Sequence, residues 1–537
     1  MGPFERLTEA AHAAGVLARA GILHPMPPSR VLRIASAVRH WGPSLAAVFA
    51  TSAARYDTRV VLVDERGPLT FAELDRRTDA LVRGLSEIGV SGGDTVGVLC
   101  RNHRYFFDIT GAIAKLGANV LFLNTGFSAP QLRDVMHREG AGVLVHDDEF
   151  ISLALDAGIP TRVVAWTDTS ADAAPEPPTI DDLIIRHAKG PEPARPEHDG
   201  RTIILTSGTT GAPKGAVQGR TSDPISGIGL LERIPYRTRE TMIIAAPCFH
   251  SWGLTNAIVS LLLGDTMVLE RQFDPERTLA LIAHHRAQVL VAVPVMLTRI
   301  LELPADVRAR YDMSSLRFVP LSGSALSGDL ATRFMDAFGD VVYNLYGSTE
   351  VGAVSIAAPE DLRAAPSTAG LPPRGTEIRL LDDQDRDVAP GETGRIFVRS
   401  PLSFDGYTDG ATKTVVDGFM HTGDTGHLDE AGRLFVEGRD DDMIVSGGEN
   451  VFPAEVEDVI ARHPGVVEAA VIGVPDEQFG QRLKAFVVPR TGAELTADAV
   501  RGHVRANLAR FKVPRDVEFV DALPRNATGK VVRRQLD

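Results

Sequence analysis

The chain is poor in thiols: among 537 residues only Cys100 and Cys248 are cysteines, far apart in sequence. That leaves neither a disulfide framework nor a zinc cluster to read. No run approaches the ~18 to 20 consecutive apolar residues of a membrane span. The Ala-rich N-terminus is interrupted by His12 and Arg19 and so lacks the apolar core of a secretory leader. Position 6 is Arg6, not Ser or Thr, which removes a myristoylation pattern. The expected compartment is the cytoplasm. Basic residues are outnumbered, 56 Lys+Arg against 70 Asp+Glu, for a net charge of −14. That balance argues against a nucleic-acid or anionic-membrane partner, but leaves room for a local basic groove around a phosphorylated ligand. No internal repeat of fixed period is present.

What is present is an ordinary globular composition, 44% hydrophobic and 23% charged. It excludes wholesale disorder, collagen and coiled coil. The length predicts three or four structural units at ~150 residues each. Residues 1–45 read as a helical extension broken at Pro25, Pro27 and Pro28. Within it, Arg30, Arg33 and Arg39 lie among Val31, Leu32, Ile34 and Val38. This basic amphipathic pattern predicts a helix packed on the main body, with peripheral membrane contact as the alternative.

An α/β grammar follows. Thr70 and Glu73 have capping-box spacing, ahead of a helix with Leu74, Leu81 and Leu85 on one face that stops near Gly89. Residues 95–99 read as a buried strand, 106–115 as a helix, and 119–123 and 142–145 as further strands. This alternation predicts a mostly parallel sheet. Residues 168–200 are rich in Ala, Pro, Glu and Asp, and the stretches 173–178 and 191–193 within them read as surface connections. The α/β pattern resumes over 202–345. From about Thr368, short strands at 377–381 and 394–398 predict a small β-rich module. The last stretch alternates a helix at 454–463, strands near 469–474 and 484–488, and a helix from Ala497.

Seven segments carry chemistry. The first is Leu205-Thr206-Ser207-Gly208-Thr209-Thr210-Gly211-Ala212-Pro213-Lys214-Gly215. Its glycines permit close approach of backbone N–H groups to oxyanions. Its hydroxyls offer donors or Mg²⁺ ligands, and Lys214 adds a cation. Gly215 after Lys214 excludes a Walker A loop; a flexible turn is the plain alternative. The second is Tyr343-Asn344-Leu345-Tyr346-Gly347-Ser348-Thr349-Glu350, where Tyr346 can stack on a purine and Glu350 can hold Mg²⁺. The third is Leu321-Ser322-Gly323-Ser324-Ala325-Leu326, and the fourth is Pro247-Cys248-Phe249-His250-Ser251-Trp252-Gly253-Leu254. In the fifth, His421-Thr422-Gly423-Asp424-Thr425-Gly426, two carboxylate oxygens suit a cis-diol. The sixth runs over 438–457 and contains Arg439, Asp441, Gly447, Gly448 and Glu449. The seventh is Pro524-Arg525-Asn526-Ala527-Thr528-Gly529-Lys530.

In order and with nearly full matches, these segments resemble the motifs of the adenylate-forming superfamily, from about Val48 to the C-terminus. Within it, Ser446-Gly447-Gly448-Glu449-Asn450 and the run 471–480 look like those of fatty-acyl-CoA synthetases, although Phe479 stands where many relatives have Trp. The resemblance implies an α/β fold. A large N-terminal domain over 46–440 would hold two α/β subdomains and a small β-barrel-like subdomain. A mobile α+β C-terminal domain over 441–537 would pivot at Asp441.

The resemblance also implies roles. The catalytic residues would be Lys530, Glu350 and Thr349, with Mg²⁺ held by Glu350 and Thr206. ATP would be bound by Thr206, Ser207, Gly208, Thr209, Thr210, Gly211, Lys214, Asn344, Tyr346, Gly347, Ser348, Asp424 and Arg439. His250, Trp252, Ser322, Gly323 and Gly352 would line the acid pocket. Gly447, Gly448 and Glu449 would face CoA in the thioester step. A carboxylate is already ionised at neutral pH, so His250 is not needed as a base.

The expected reaction is ATP-dependent conversion of a medium- or long-chain fatty acid to acyl-AMP and then to acyl-CoA. An aryl-CoA ligase, or an acyl-AMP ligase loading a carrier protein, is the alternative. A non-catalytic nucleotide- or fatty-acid-binding protein is the reading from another class, opposed by the intact Glu350, Asp424, Arg439 and Lys530. The resemblance is compatible with a homodimer.

Overall fold

The computed structural model describes all residues except 1–2, 169–176, 208–212, 218–223, 441–443, 447–448, 477–479, 528 and 537. The chain forms two compact units. One comprises Met1–Ala292, Leu303–Val319 and Pro401–Thr412; the other comprises Val293–Glu302, Pro320–Ser400 and Lys413–Asp537.

The first unit holds two sheets. The larger has seven strands in the order Gly406–Tyr407, Pro213–Val217, Thr202–Ser207, Asn119–Phe122, Thr95–Leu99, Ala141–His146 and Thr161–Val164. The run from Thr202–Ser207 to Thr161–Val164 is parallel, as expected from the alternation of strands with helices. Thr95–Leu99 is buried at every position, because helices cover both faces of a central parallel strand. Leu99, Leu121, Leu144, Ile203 and Leu205 join Leu132, Val135 and Met136 in one core cluster. The smaller sheet runs Val289–Val291, Thr241–Ile244, Thr266–Leu269, Val60–Asp64 and Gly67–Thr70.

The capping box is formed. Thr70 N donates to the Glu73 carboxylate at 2.8 Å, and Glu73 N donates to Thr70 Oγ1 at 3.2 Å. The helix Phe71–Glu87 starts there. In the N-terminal extension, helices Pro3–Arg19 and Pro28–Trp41 flank the proline break. The second packs on the body through Trp41, which is buried with Ala46, Ala47, Ala50 and Ala114. Beneath Trp41 the ammonium of Lys115, 2% exposed, lies between Asp75 at 2.7 Å and Asp79 at 2.5 Å.

Between the two expected connections lies an element that the sequence reading did not pick out: Ile180–Arg186 is a helix with its own Thr179/Asp182 capping box. It buries Ile180, Leu183 and Ile184, and Leu183 sits against Gly84 of the helix Phe71–Glu87. The acidic and Pro-rich flanks dominate the composition and mask three apolar residues at helical spacing.

The second unit contains the hairpin Val342–Ser348/Gly352–Ala357. It also contains an antiparallel sheet of Glu377–Leu381, Gly394–Arg399, Phe419–Leu428, Val415–Val416 and Leu434–Arg439. In its C-terminal part, helices Pro453–Ala461 and Ala497–Asn507 pack on a sheet led by Val466–Asp476 and Gly480–Pro489. Its core is Val456, Val459, Ile460, Val471, Leu483, Ala485, Val500 and Val504. These elements match the α+β reading of the final segment. No helix among the described residues is long and apolar enough to cross a membrane.

Candidate active site

In the second unit the sequence-predicted nucleotide residues converge. The hairpin Val342–Ser348/Gly352–Ala357 pairs Ser348 with Gly352, which leaves Thr349, Glu350 and Val351 as its tip. The turn is glycine-dependent twice over. Gly352 has φ +69°, and a Cβ on Gly347 would lie 2.0 Å from the Gly352 carbonyl oxygen. Glycine is therefore required at both positions by backbone geometry alone. Glu350 is buried at this tip, and Asn344 is buried in the strand below. Ser322 and Gly323 follow the strand Val319–Leu321; Ser322 is buried and Gly323 has φ +93°.

Strand Phe419–Leu428 places Asp424 directly across from Arg439 of Leu434–Arg439. Arg439 Nε lies 3.7 Å from Asp424 Oδ1. Tyr346 donates its hydroxyl to Asp424 Oδ2 at 2.6 Å. Burial pushes the Asp424 carboxyl above its ordinary value, while Tyr346, Arg439, Lys413 and Lys530 oppose that rise. The same burial and the adjacent carboxylate push the Tyr346 phenol up, so it stays a donor. Lys530 is exposed on a turn whose Gly529 rests against Val293 and Val295, and its charge reaches Asp424.

The first unit carries the other candidates. Strands Thr202–Ser207 and Pro213–Val217 form a hairpin around residues 208–212, with Thr206 opposite Lys214. The Thr206 hydroxyl is buried and has no hydrogen-bond partner among the described residues. A buried hydroxyl left so is costly unless a ligand completes it, and an oxygen donor suits Mg²⁺ or phosphate. Lys214 Nζ stands 3.7 Å from Asp409 and over the Tyr407 ring.

His250 stands at the N-cap position of helix Ser251–Leu263 without a side-chain capping bond, and its Nε2 is buried with no partner among the described residues. Burial pushes its pKa down to about 4, so it is neutral at pH 7 and unsuited to hold a proton there. Trp252 is buried and donates its indole N–H to the Ala292 carbonyl at 3.1 Å. Gly208, Thr209, Thr210, Gly211, Asp441, Gly447 and Gly448 lie outside the described residues. Only the strand backbone is described at Ser207 and Glu449.

Residues 49–408 match the model of the AMP-binding enzyme family, and 455–530 match that of its C-terminal domain. The chain belongs to the AMP-binding enzyme family. Among its relatives is a feruloyl-CoA synthase of Amycolatopsis, 34% identical over 87% of this chain and 93% of that one. A fatty acid–[acyl-carrier-protein] ligase of Streptomyces coeruleorubidus is 31% identical over 89% and 93%. Among solved structures, the o-succinylbenzoate CoA synthetase of Bacillus subtilis bound to its acyl-adenylate superposes with TM-score 0.78. It is 28% identical and covers 91% of this chain and 97% of its own. The α/β fold with a large N-terminal and a smaller C-terminal domain, and the enzymatic character, are those of this family.

Several residues of this AMP-binding enzyme escaped the motif reading. Asn102 donates to the Ile244 and Ala246 carbonyls and accepts from Cys248 N at 2.8 Å, fixing the segment that leads to His250. It lies more than 140 residues from those partners, so no local signal could reveal it. Sequence spacing offered no zinc cluster, yet the fold gathers Cys100, His103 and Asp147 with ligand-type atoms within 4.8 Å. The Asp147 oxygens are already engaged by His103 Nε2, Arg101 N and Trp166 N, so the group is a hydrogen-bonded knot beside the strand Thr95–Leu99.

Proposed function

We propose that the chain is an AMP-forming acid–CoA ligase whose acid is an aryl or other ring-bearing carboxylate. The expectation of a fatty acid gives way to its alternative. The feruloyl-CoA synthase and the succinylbenzoate-CoA synthetase both act on ring-bearing acids by their names, and they support that class. The observation that carries the adenylation chemistry is the grouping in one unit of Tyr346, Asp424, Arg439 and a Lys530 whose charge is felt at Asp424.

A carboxylate is a poor electrophile, so its oxygen must first be made a leaving group. In the first half-reaction the carboxylate attacks the α-phosphate of ATP in line and releases pyrophosphate. Asp424 accepts from the ribose hydroxyls, with Tyr346 and Arg439 holding its carboxylate in place. Lys530 neutralises charge where two anions meet. Lys214, Thr206 and the 208–212 loop bind the outer phosphates. In the second unit the buried carboxylate of Glu350 is an oxygen donor fit to hold Mg²⁺; in the first, so is the Thr206 hydroxyl, which has no partner among the described residues. When bound, Mg²⁺ supplies charge neutralisation on the phosphates. In the second half-reaction CoA thiolate attacks the acyl carbon and expels AMP. Rotation about Asp441 withdraws Lys530 and presents Gly447, Gly448 and Glu449.

The carrier-protein ligase relative favours a second reading, in which the thiol belongs to a carrier protein. Pyrophosphate release over a panel of aryl and fatty acids, with CoA or a phosphopantetheinylated carrier, tests both. Turnover of aryl acids with CoA is expected. Turnover confined to fatty acids, or to the carrier, overturns the first reading.

A further inference from the structure

Lys530 is exposed, and four flexible methylenes separate its ammonium from the backbone. Its placement therefore depends on the turn that carries it. That turn is closed by its own amides. Val532 N donates to the Pro524 carbonyl at 2.8 Å, Asn526 N to the Lys530 carbonyl at 2.9 Å, and Gly529 N to the Asn526 carbonyl at 2.9 Å. Lys530 N donates to Asn526 Oδ1 at 2.9 Å. These bonds shape the turn, while Leu523 and Val531 on its flanks pack into the apolar cluster around Ala470 and Phe486 and Arg533 pairs with Glu457.

A further tie is Arg525. One arm of its guanidinium donates to the Gly529 carbonyl, the residue before Lys530; the other donates to the carboxylate of Glu468. Glu468 belongs to the long strand Val466–Asp476, which is buttressed along its length by Gly480–Pro489. Both side chains are about four-fifths buried, so water screens the pair less than a surface ion pair. We propose that Glu468 and Arg525 are positioning residues for Lys530, fixing its turn to the C-terminal sheet so that the ammonium reaches the adenylation centre. The inference rests on the role proposed for Lys530.

The planar fork meets the Gly529 carbonyl and the Glu468 carboxylate with two separate nitrogens in a fixed geometry, which the single point charge of a lysine does not reproduce. Misplacing a group at a reacting centre by about 1 Å costs up to ~100-fold in rate. The pair contributes nothing to thioester formation, in which Lys530 is withdrawn.

The test measures ATP–pyrophosphate exchange and, separately, thioester formation from supplied acyl-adenylate and CoA, on the full chain. Glu468→Gln and Arg525→Lys are each expected to lower kcat of exchange about tenfold with KM for ATP changed less than about twofold. Thioester formation should stay within about twofold of the parent. The Glu468→Gln/Arg525→Lys double variant should lose little more than either single one, because both act through one contact. Equal losses in both half-reactions, or full exchange activity in the single variants, overturn the positioning role. Lys530→Ala is run alongside. If it abolishes exchange while Glu468→Gln leaves it intact, only the positioning role falls. If Lys530→Ala itself keeps exchange, the role of Lys530 falls and the positioning role with it.

Discussion

Removing one hydroxyl tests how the Asp424 carboxylate, proposed to bind the ribose, is held. In Tyr346→Phe the 2.6 Å bond from the phenol to Asp424 Oδ2 is lost while the ring remains. A hydrogen bond to a charged acceptor contributes ~1.5 to 3 kcal/mol. Asp424 keeps Arg439 at 3.7 Å, and its side chain is 17% exposed, so water can partly replace the phenol. The lower end, about 1.5 kcal/mol, is therefore expected, which is slightly more than tenfold in an equilibrium constant. It should appear as a tenfold rise in KM for ATP in pyrophosphate exchange, with kcat nearly unchanged. The pH dependence has a definite sign. Burial already raises the Asp424 carboxyl, and the phenol opposes that rise. Without the phenol the carboxyl protonates at higher pH, so the acid limb of ATP binding moves upward. In an Asp424→Asn background the same change should do little. An unchanged KM for ATP, or a loss in kcat alone, would refute the role given to this bond.

Two predictions concern stability. Lys115→Met leaves Asp75 and Asp79 facing each other without their shared cation. Since both carboxylates keep some water contact, a loss of ~2 kcal/mol is expected, below the ~3 to 5 kcal/mol of a fully buried broken pair. Urea unfolding should show it larger at pH 8 than at pH 5, and equal stability at both would count against the pairing. Glu270 is buried, with its pKa pushed up to about 7 by that burial. The native state then holds a proton that the unfolded chain releases near pH ~4.3. Stability should be full below that value and fall as pH rises toward 7. Glu270→Gln should flatten the fall; an identical slope in the variant would show that Glu270 is not its source.

The motifs were legible because their chemistry is local. The hairpin tip Thr349-Glu350 and the turn ahead of Lys530 are contiguous in sequence, and so are the capping box at Thr70 and the strand Thr95–Leu99. What was not legible depends on contacts across sequence. Tyr346 was read for its ring, yet its hydroxyl serves Asp424, 78 residues away. Arg525 meets Glu468 across 57 residues, and Asn102 meets the His250 segment across more than 140. The helix Ile180–Arg186 was hidden by composition averaged over too long a stretch. The class of acid is not legible for a related reason: the Ser446–Asn450 segment resembles that of fatty-acyl enzymes, while the choice of acid depends on side chains from separate segments.

The paired glycines of the Thr349-Glu350 tip set a limit on how this enzyme can be re-engineered. Gly347 opposite the Gly352 carbonyl admits no side chain, and Gly352 holds a left-handed backbone. Randomising either would spend a library on unfolded hairpins. Diversity aimed at new acids belongs instead at the residues proposed to line the acid pocket, His250, Trp252 and Ser322. There the backbone imposes no such veto, so the acids accepted by each variant test that assignment.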